Sequence, residues 1–256
     1  MSGDPEVLVA RHDRVLVITL DRPAQRNAMT LAAARVVAEA VDRLDGSPDL
    51  AAAVLTGAGG TFCAGMDLKR FAQGERPAVP GRGFGGLVEA PPKKPIVAAV
   101  EGWALGGGFE LALACDMVVA AEGARFGLPE VRRGLVARGG GMIRLPQRLP
   151  RSVAMELLLT GDPIDADRAE RLGLVNRVVA EGEALAAALL LAGRIAENAP
   201  LAVRCAKTVA NAASGWPQDE VWQRQAPLSD AVFASADAKE GARAFVERRE
   251  PVWTGS

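Results

Sequence analysis

A chain of 256 residues that is 49% hydrophobic and 24% charged, with a formal net charge of -1, can bury a large core and falls outside the disordered, fibrous and membrane-spanning composition classes. Its lysines, Lys69, Lys93, Lys94, Lys207 and Lys239, are scattered, so no basic tail points to nucleic acid. Cys63, Cys115 and Cys205 lack a paired spacing, which argues against a zinc site or a disulfide framework and for small buried hydrophobes.

Taken in chain order, the stretch from Met1 to Arg14 is charged and has no apolar signal core; its His12, the only histidine, reads as a surface residue. Strand-type runs follow at residues 15–20, 52–56, 96–100 and 117–120. Between the first two lies a helical pattern over residues 31–44, with Thr30 placed to cap it and Gly46 and Pro48 marking its end. This alternation predicts stacked β/α units. Residues 73–95 are dense in Gly and Pro, including Pro77, Pro80, Gly81, Gly83, Gly85 and Gly86, and read as a mobile surface loop.

Past about Leu145 the pattern turns helical. Helices are expected at 152–160 before Gly161, at 166–172 between Asp165 and Gly173, at 184–198, at 201–213 behind Pro200, and at 237–249 with Asp237 as cap and Glu240 three residues on. The longest apolar run, residues 184–192, is too short to cross a bilayer, and a cytoplasmic protein is expected.

Several chemistries are missing their residues. With one histidine and no Gly-x-Ser-x-Gly elbow, a Ser/His/Asp hydrolase is excluded. Neither Gly57-Ala58-Gly59-Gly60 nor Gly106-Gly107-Gly108 carries the following Lys-Ser/Thr of a phosphate loop or the dinucleotide-binding spacing. Two glycine-bearing turns remain. Thr61-Phe62-Cys63-Ala64-Gly65-Met66-Asp67-Leu68 offers Asp67 as cap for a helix near Leu68, and Ala104-Leu105-Gly106-Gly107-Gly108-Phe109-Glu110-Leu111 leads three glycines into an apolar helix. Backbone N–H groups bared at two such turns would suit a thioester oxygen becoming an enolate. Glu110 lies in an otherwise apolar segment, where a carboxylate is costly unless used or paired, and Glu130 follows the rigid turn Phe126-Gly127-Leu128-Pro129.

These stretches, with Asp21-Arg22-Pro23, Arg26-Asn27-Ala28, Gly173-Leu174-Val175-Asn176 and Glu240-Gly241 further along, resemble the crotonase, or enoyl-CoA hydratase/isomerase, superfamily over nearly the whole chain. The resemblance implies an α/β fold, a crotonase-type spiral of ββα units (residues 1–198) with a helical C-terminal oligomerisation region (199–256) that builds a homotrimer or dimer of trimers. It implies oxyanion-hole N–H groups at Met66 and Gly107, catalytic Glu110 and Glu130, and substrate contacts at Ala64, Asp67, Leu68, Gly106 and Arg248. The activity implied is hydration of a 2-enoyl-CoA to a 3-hydroxyacyl-CoA, coenzyme A entering as part of the substrate and no metal or further cofactor being needed. Double-bond isomerisation and non-catalytic acyl-CoA binding are the alternatives, and retention of both acids favours hydration. Ala137 stands where the family usually has proline, Arg138 where it has small residues, and Arg248 where many relatives carry lysine. Arg138 either reaches the acyl pocket or points to solvent or pairs with a nearby acid.

Overall fold

A computed structural model describes residues 5–256; the first four residues of the charged N-terminal stretch lie outside them. Six strands form the main sheet in the order Val7–His12, Val15–Leu20, Ala52–Gly57, Ile96–Val100, Met117–Ala121 and Arg177–Val179. The first pair is antiparallel and every other pair parallel. The expected α/β arrangement of stacked units is therefore present, with one added edge strand that ends at the exposed His12.

Parallel sheets need cover on both faces, and period-2 side-chain alternation supplies two apolar faces here. Ala53, Leu55, Ile96, Ala98 and Val100 join the principal core, which includes Val37, Val41 and Leu44 of the helix Leu31–Gly46. Ala52, Val54, Val97, Ala99 and Val119 face the other way, onto Ala184, Ala188 and Ala192 of the helix Ala184–Ala196. Those three alanines recur every fourth residue, so one stripe of small side chains lets the helix lie close on the sheet.

A second, short sheet runs Ile164–Asp165, Arg125–Gly127, Trp103–Leu105, and an isolated bridge from Cys63 to Ala104 extends it. Three successive units thus share one plan: a strand in the main sheet, a short strand or bridge in the second, then a helical turn.

Local expectations hold where a named side chain does the work. Thr30 Oγ1 accepts from Ala33 N at 3.1 Å, Gly161 adopts the left-handed C-cap, and Asp165 accepts from Arg168 N at 2.8 Å. The last helix is a correction. It spans Ala236–Glu247, and its cap is Ser235, which accepts from Ala238 N at 3.0 Å. Asp237 is instead buried within it and accepts from Thr254 N at 2.7 Å and Gly255 N at 3.0 Å, so its carboxylate ties down the chain's last residues. Glu240 likewise pairs with Arg243 and Arg249 rather than closing a capping box.

Residues 73–95 are a second correction, because part of this stretch is core. It contains a hairpin of Ala78–Val79 and Gly83–Phe84, after which Leu87 and Val88 are buried. Gly86 makes that possible: its φ is +72°, and a Cβ there would stand 2.1 Å from the Ala34 carbonyl oxygen of the helix Leu31–Gly46. Cys63 and Cys115 are buried thiols whose titration burial pushes up to about 12, whereas Cys205 is only half-buried. No single helix among the described residues is long and apolar enough to cross a membrane.

Candidate active site

The shared plan of the three units places their turns side by side. Cys63 pairs with Ala104, and Ala104 with Phe126. Neighbouring strands lie about 4.8 Å apart, so residues equally far past these partners stay adjacent. Met66 is three residues beyond Cys63 and Gly107 three beyond Ala104; Glu130 is four beyond Phe126. Hydrogen bonds lock the register: Cys63 N to Trp103 O at 2.9 Å, Leu105 N to Cys63 O at 3.0 Å, and Gly106 N to Gly127 O at 2.8 Å.

The turn at Met66 is fixed from its other side, where Met29 N donates to Gly65 O at 2.8 Å and Asp67 N to Met29 O at 3.1 Å. Those bonds leave the intervening Met66 N–H without a partner among the described residues. Gly107 opens the helix Gly107–Ala114, so its N–H has no intrahelical acceptor either. A Cβ on Gly65 would lie 3.3 Å from Gly107 N, which measures how closely the two turns pack. The outcome is a pair of adjacent, bared N–H donors, one reinforced by a helix N-terminus.

Both open onto a cavity of about 530 Å³ that is also lined by Ala64, Leu68, Gly106, Glu110 and Glu130. Glu110 lies one turn into its helix and is 3% exposed. Its Oε1 accepts from Gly141 N at 2.8 Å, and a Cβ on Gly139 would come within 2.6 Å of its Oε2. Burial drives the Glu110 carboxyl up to about 7, with the Glu130 charge adding, against the Gly141 and Gly139 N–H groups and the Arg144 guanidinium. Glu130 sits in the short 3-10 helix Pro129–Arg133, and its Oε2 is buried with no hydrogen-bond partner among the described residues. Burial raises its pKa as well, opposed by its own backbone N–H and by Arg133. Two acids held toward neutrality in one cleft titrate as a pair and have the chemistry to exchange protons with a bound molecule.

Two expected site residues fall elsewhere. Asp67 caps the helix Leu68–Ala72 through Lys69 N and Arg70 N and pairs with Arg22 at 3.0 Å, facing a second hollow. Its carboxylate is held low by these partners despite its burial. Arg248 is the left-handed C-cap of the last helix, exposed and not part of the cavity lining. Arg138 does line the cavity while its side chain stays exposed.

Four contributors went unassigned in the sequence. Gly139 and Gly141 cradle Glu110, which a glycine run ahead of a helix facing a buried acid signals in principle. Phe84 comes from the 73–95 stretch, and a Cβ on Gly107 would lie 2.2 Å from its ring; nothing in the local pattern announces that contact. Arg144 links Val88 O at 2.5 Å to Gly139 O at 3.5 Å, bracing the wall beside Glu110. Among the described residues no group of three or more His, Cys, Asp or Glu side chains could hold a metal ion.

Residues 10–256 match the family described as enoyl-CoA hydratase/isomerase. The chain is 41% identical to an enoyl-CoA hydratase of Mycobacterium tuberculosis over 98% of this chain and 97% of that one. It is 43% identical to a carnitinyl-CoA dehydratase of Salmonella typhimurium over 96% and 97% of the two. A crystal structure of an enoyl-CoA hydratase from Mycobacterium tuberculosis H37Rv superposes with a TM-score of 0.97 at 55% identity, covering 99% of this chain and all of that one.

Proposed function

The chain belongs to the enoyl-CoA hydratase/isomerase family, and on that premise we propose that it adds water across the C2–C3 double bond of a 2-enoyl-CoA, giving a 3-hydroxyacyl-CoA. The observation that carries this reading is the meeting of a buried acid, a half-buried one whose Oε2 is inaccessible, and two unpartnered backbone N–H groups in a single cavity. The Met66 and Gly107 N–H groups receive the thioester oxygen as negative charge moves onto it. One glutamate, ionised, takes a proton from water while the hydroxyl adds to C3; its protonated partner delivers a proton to C2 as the enolate collapses. Water is consumed whole, and the two acids exchange protonation states before solvent resets them. The same groups run in reverse dehydrate a 3-hydroxyacyl-CoA, the direction named for the carnitinyl-CoA relatives. Moving a double bond needs only one proton carrier, so the retained pair favours hydration. On this reading residues 199–256 serve subunit assembly, and Arg248 acts across a subunit boundary.

The test follows the loss of enone absorbance of crotonyl-CoA. Wild type is expected to bleach it rapidly, and Glu110→Gln and Glu130→Gln each to lower kcat by roughly 10²- to 10⁴-fold with little change in KM, since each acid acts as the transition state forms. Full activity in the double variant would remove the assignment.

A further inference from the structure

The segment spanning residues 129–141 brings more than Glu130 to the cavity. Two guanidinium groups on it, Arg133 and Arg138, line the same space. Arg133 ends the 3-10 helix that begins at Pro129, three residues from Glu130. Arg138 precedes Gly139, the residue pressed against Glu110 Oε2. Neither side chain has a hydrogen bond or ion pair among the described residues, whereas the third arginine of the lining, Arg76, stacks 3.9 Å above the Phe71 ring and donates to Phe71 O and Glu75 O. On the opposite side of the ledger stands one exposed carboxylate, Glu89. The two acids of the same cavity have their pKa values raised by burial, Glu110 to about 7.

An unpaired arginine is a planar fork of donors that favours a carboxylate over any neutral group. Both cations are carried by the 129–141 segment, which holds Glu130 and packs Gly139 against Glu110, rather than by the Thr61–Leu68 turn. Resting on the hydratase reading, we propose that Arg133 and Arg138 form an anion subsite for the far end of the acyl chain, making the preferred substrate an enoyl-CoA that ends in a carboxylate. A cationic acyl group, such as one bearing a trimethylammonium, is correspondingly disfavoured, because it would bring like charge to an arginine pair.

Coenzyme A phosphates are the other source of the same chemistry, and the experiment separates them. Calorimetric Kd values for glutaryl-CoA and butyryl-CoA, neither of which can turn over, are compared in wild type, Arg138→Ala and Arg133→Ala. The subsite predicts that wild type binds glutaryl-CoA more tightly by roughly 10- to 100-fold, and that either variant collapses this ratio toward one. A ratio near one in wild type, or an equal weakening of both ligands in the variants, would assign the arginines to the phosphates and overturn the proposal. Crotonyl-CoA turnover by wild type is measured alongside, so that failure of the hydratase reading is visible separately.

Discussion

The stacked units of residues 52–133 and the helices of residues 200–247 are built on opposite terms. In the first region the backbone is over-determined: each short strand is paired, each turn is bonded from two sides, and the strands Ala52–Gly57 and Ile96–Val100 are buried almost throughout. In the second, the helices Pro200–Ala212 and Val221–Phe233 contain no buried residue, and Trp222, Phe233, Phe245 and Val246 are each more than three-quarters exposed. The region is pinned through Lys207, which pairs with Asp116 at 2.6 Å and donates to Lys94 O at 2.9 Å. A site that positions donors to a fraction of an ångström belongs on the first kind of scaffold, while the second kind presents apolar surface outward.

The contrast is sharpened most by Gly107→Ala. The new Cβ would collide with Phe84, and relief moves either the ring or the N–H that faces the cavity. Turnover of crotonyl-CoA is expected to fall roughly 10²- to 10³-fold, the usual cost of displacing one oxyanion donor, with the circular dichroism spectrum unchanged. Smaller in consequence is Gly86→Ala. A side chain at φ +72°, set against the Ala34 carbonyl, is expected to cost about 2–4 kcal/mol in chemical denaturation, whereas Phe245→Ser at an 85% exposed position is expected to stay within about 0.5 kcal/mol on the isolated subunit. Equal losses at the two positions would erase the distinction between the regions.

The smallest effect is one of pH. Glu110 keeps its proton up to about 7 in the folded chain but releases it near 4.5 when unfolded. Between those values the folded state binds more protons, so stability falls as pH rises through the window and the loss is complete above it. Glu110→Gln removes the charge while keeping an acceptor for Gly141 N. Its melting temperature is expected to drop less than that of wild type between pH 5 and 8, by several degrees, which thermal denaturation at stepped pH would detect.

How much of this was legible in the sequence depended on how locally it was encoded. The strand runs, the Thr30, Asp67 and Asp165 caps, and the two glycine turns are written within six or eight residues, and the structure has them. Trp103–Leu105 and Arg125–Gly127 are three residues long, too short for any periodicity to register, although they set the alignment of the site. The helices Gly141–Arg148 and Val221–Phe233 contain Pro146 and Pro227, which read as breakers. Asp237 resembled a helix cap because the residues it holds, Thr254 and Gly255, lie seventeen and eighteen positions away. Phe84 and Gly107 touch across more than twenty residues, and that contact follows only from how the Ala78–Phe84 hairpin packs on the site.

That register has a practical meaning for changing what the enzyme accepts. The interval between the two N–H donors is the interval between hydrogen-bonded strands, which no side-chain replacement rewrites, whereas the cavity walls at residues 76–78 and 135–138 lie outside those strands. The shape of the cavity is therefore open to redesign by side-chain replacement at those wall positions, with the spacing of the two N–H donors inherited intact.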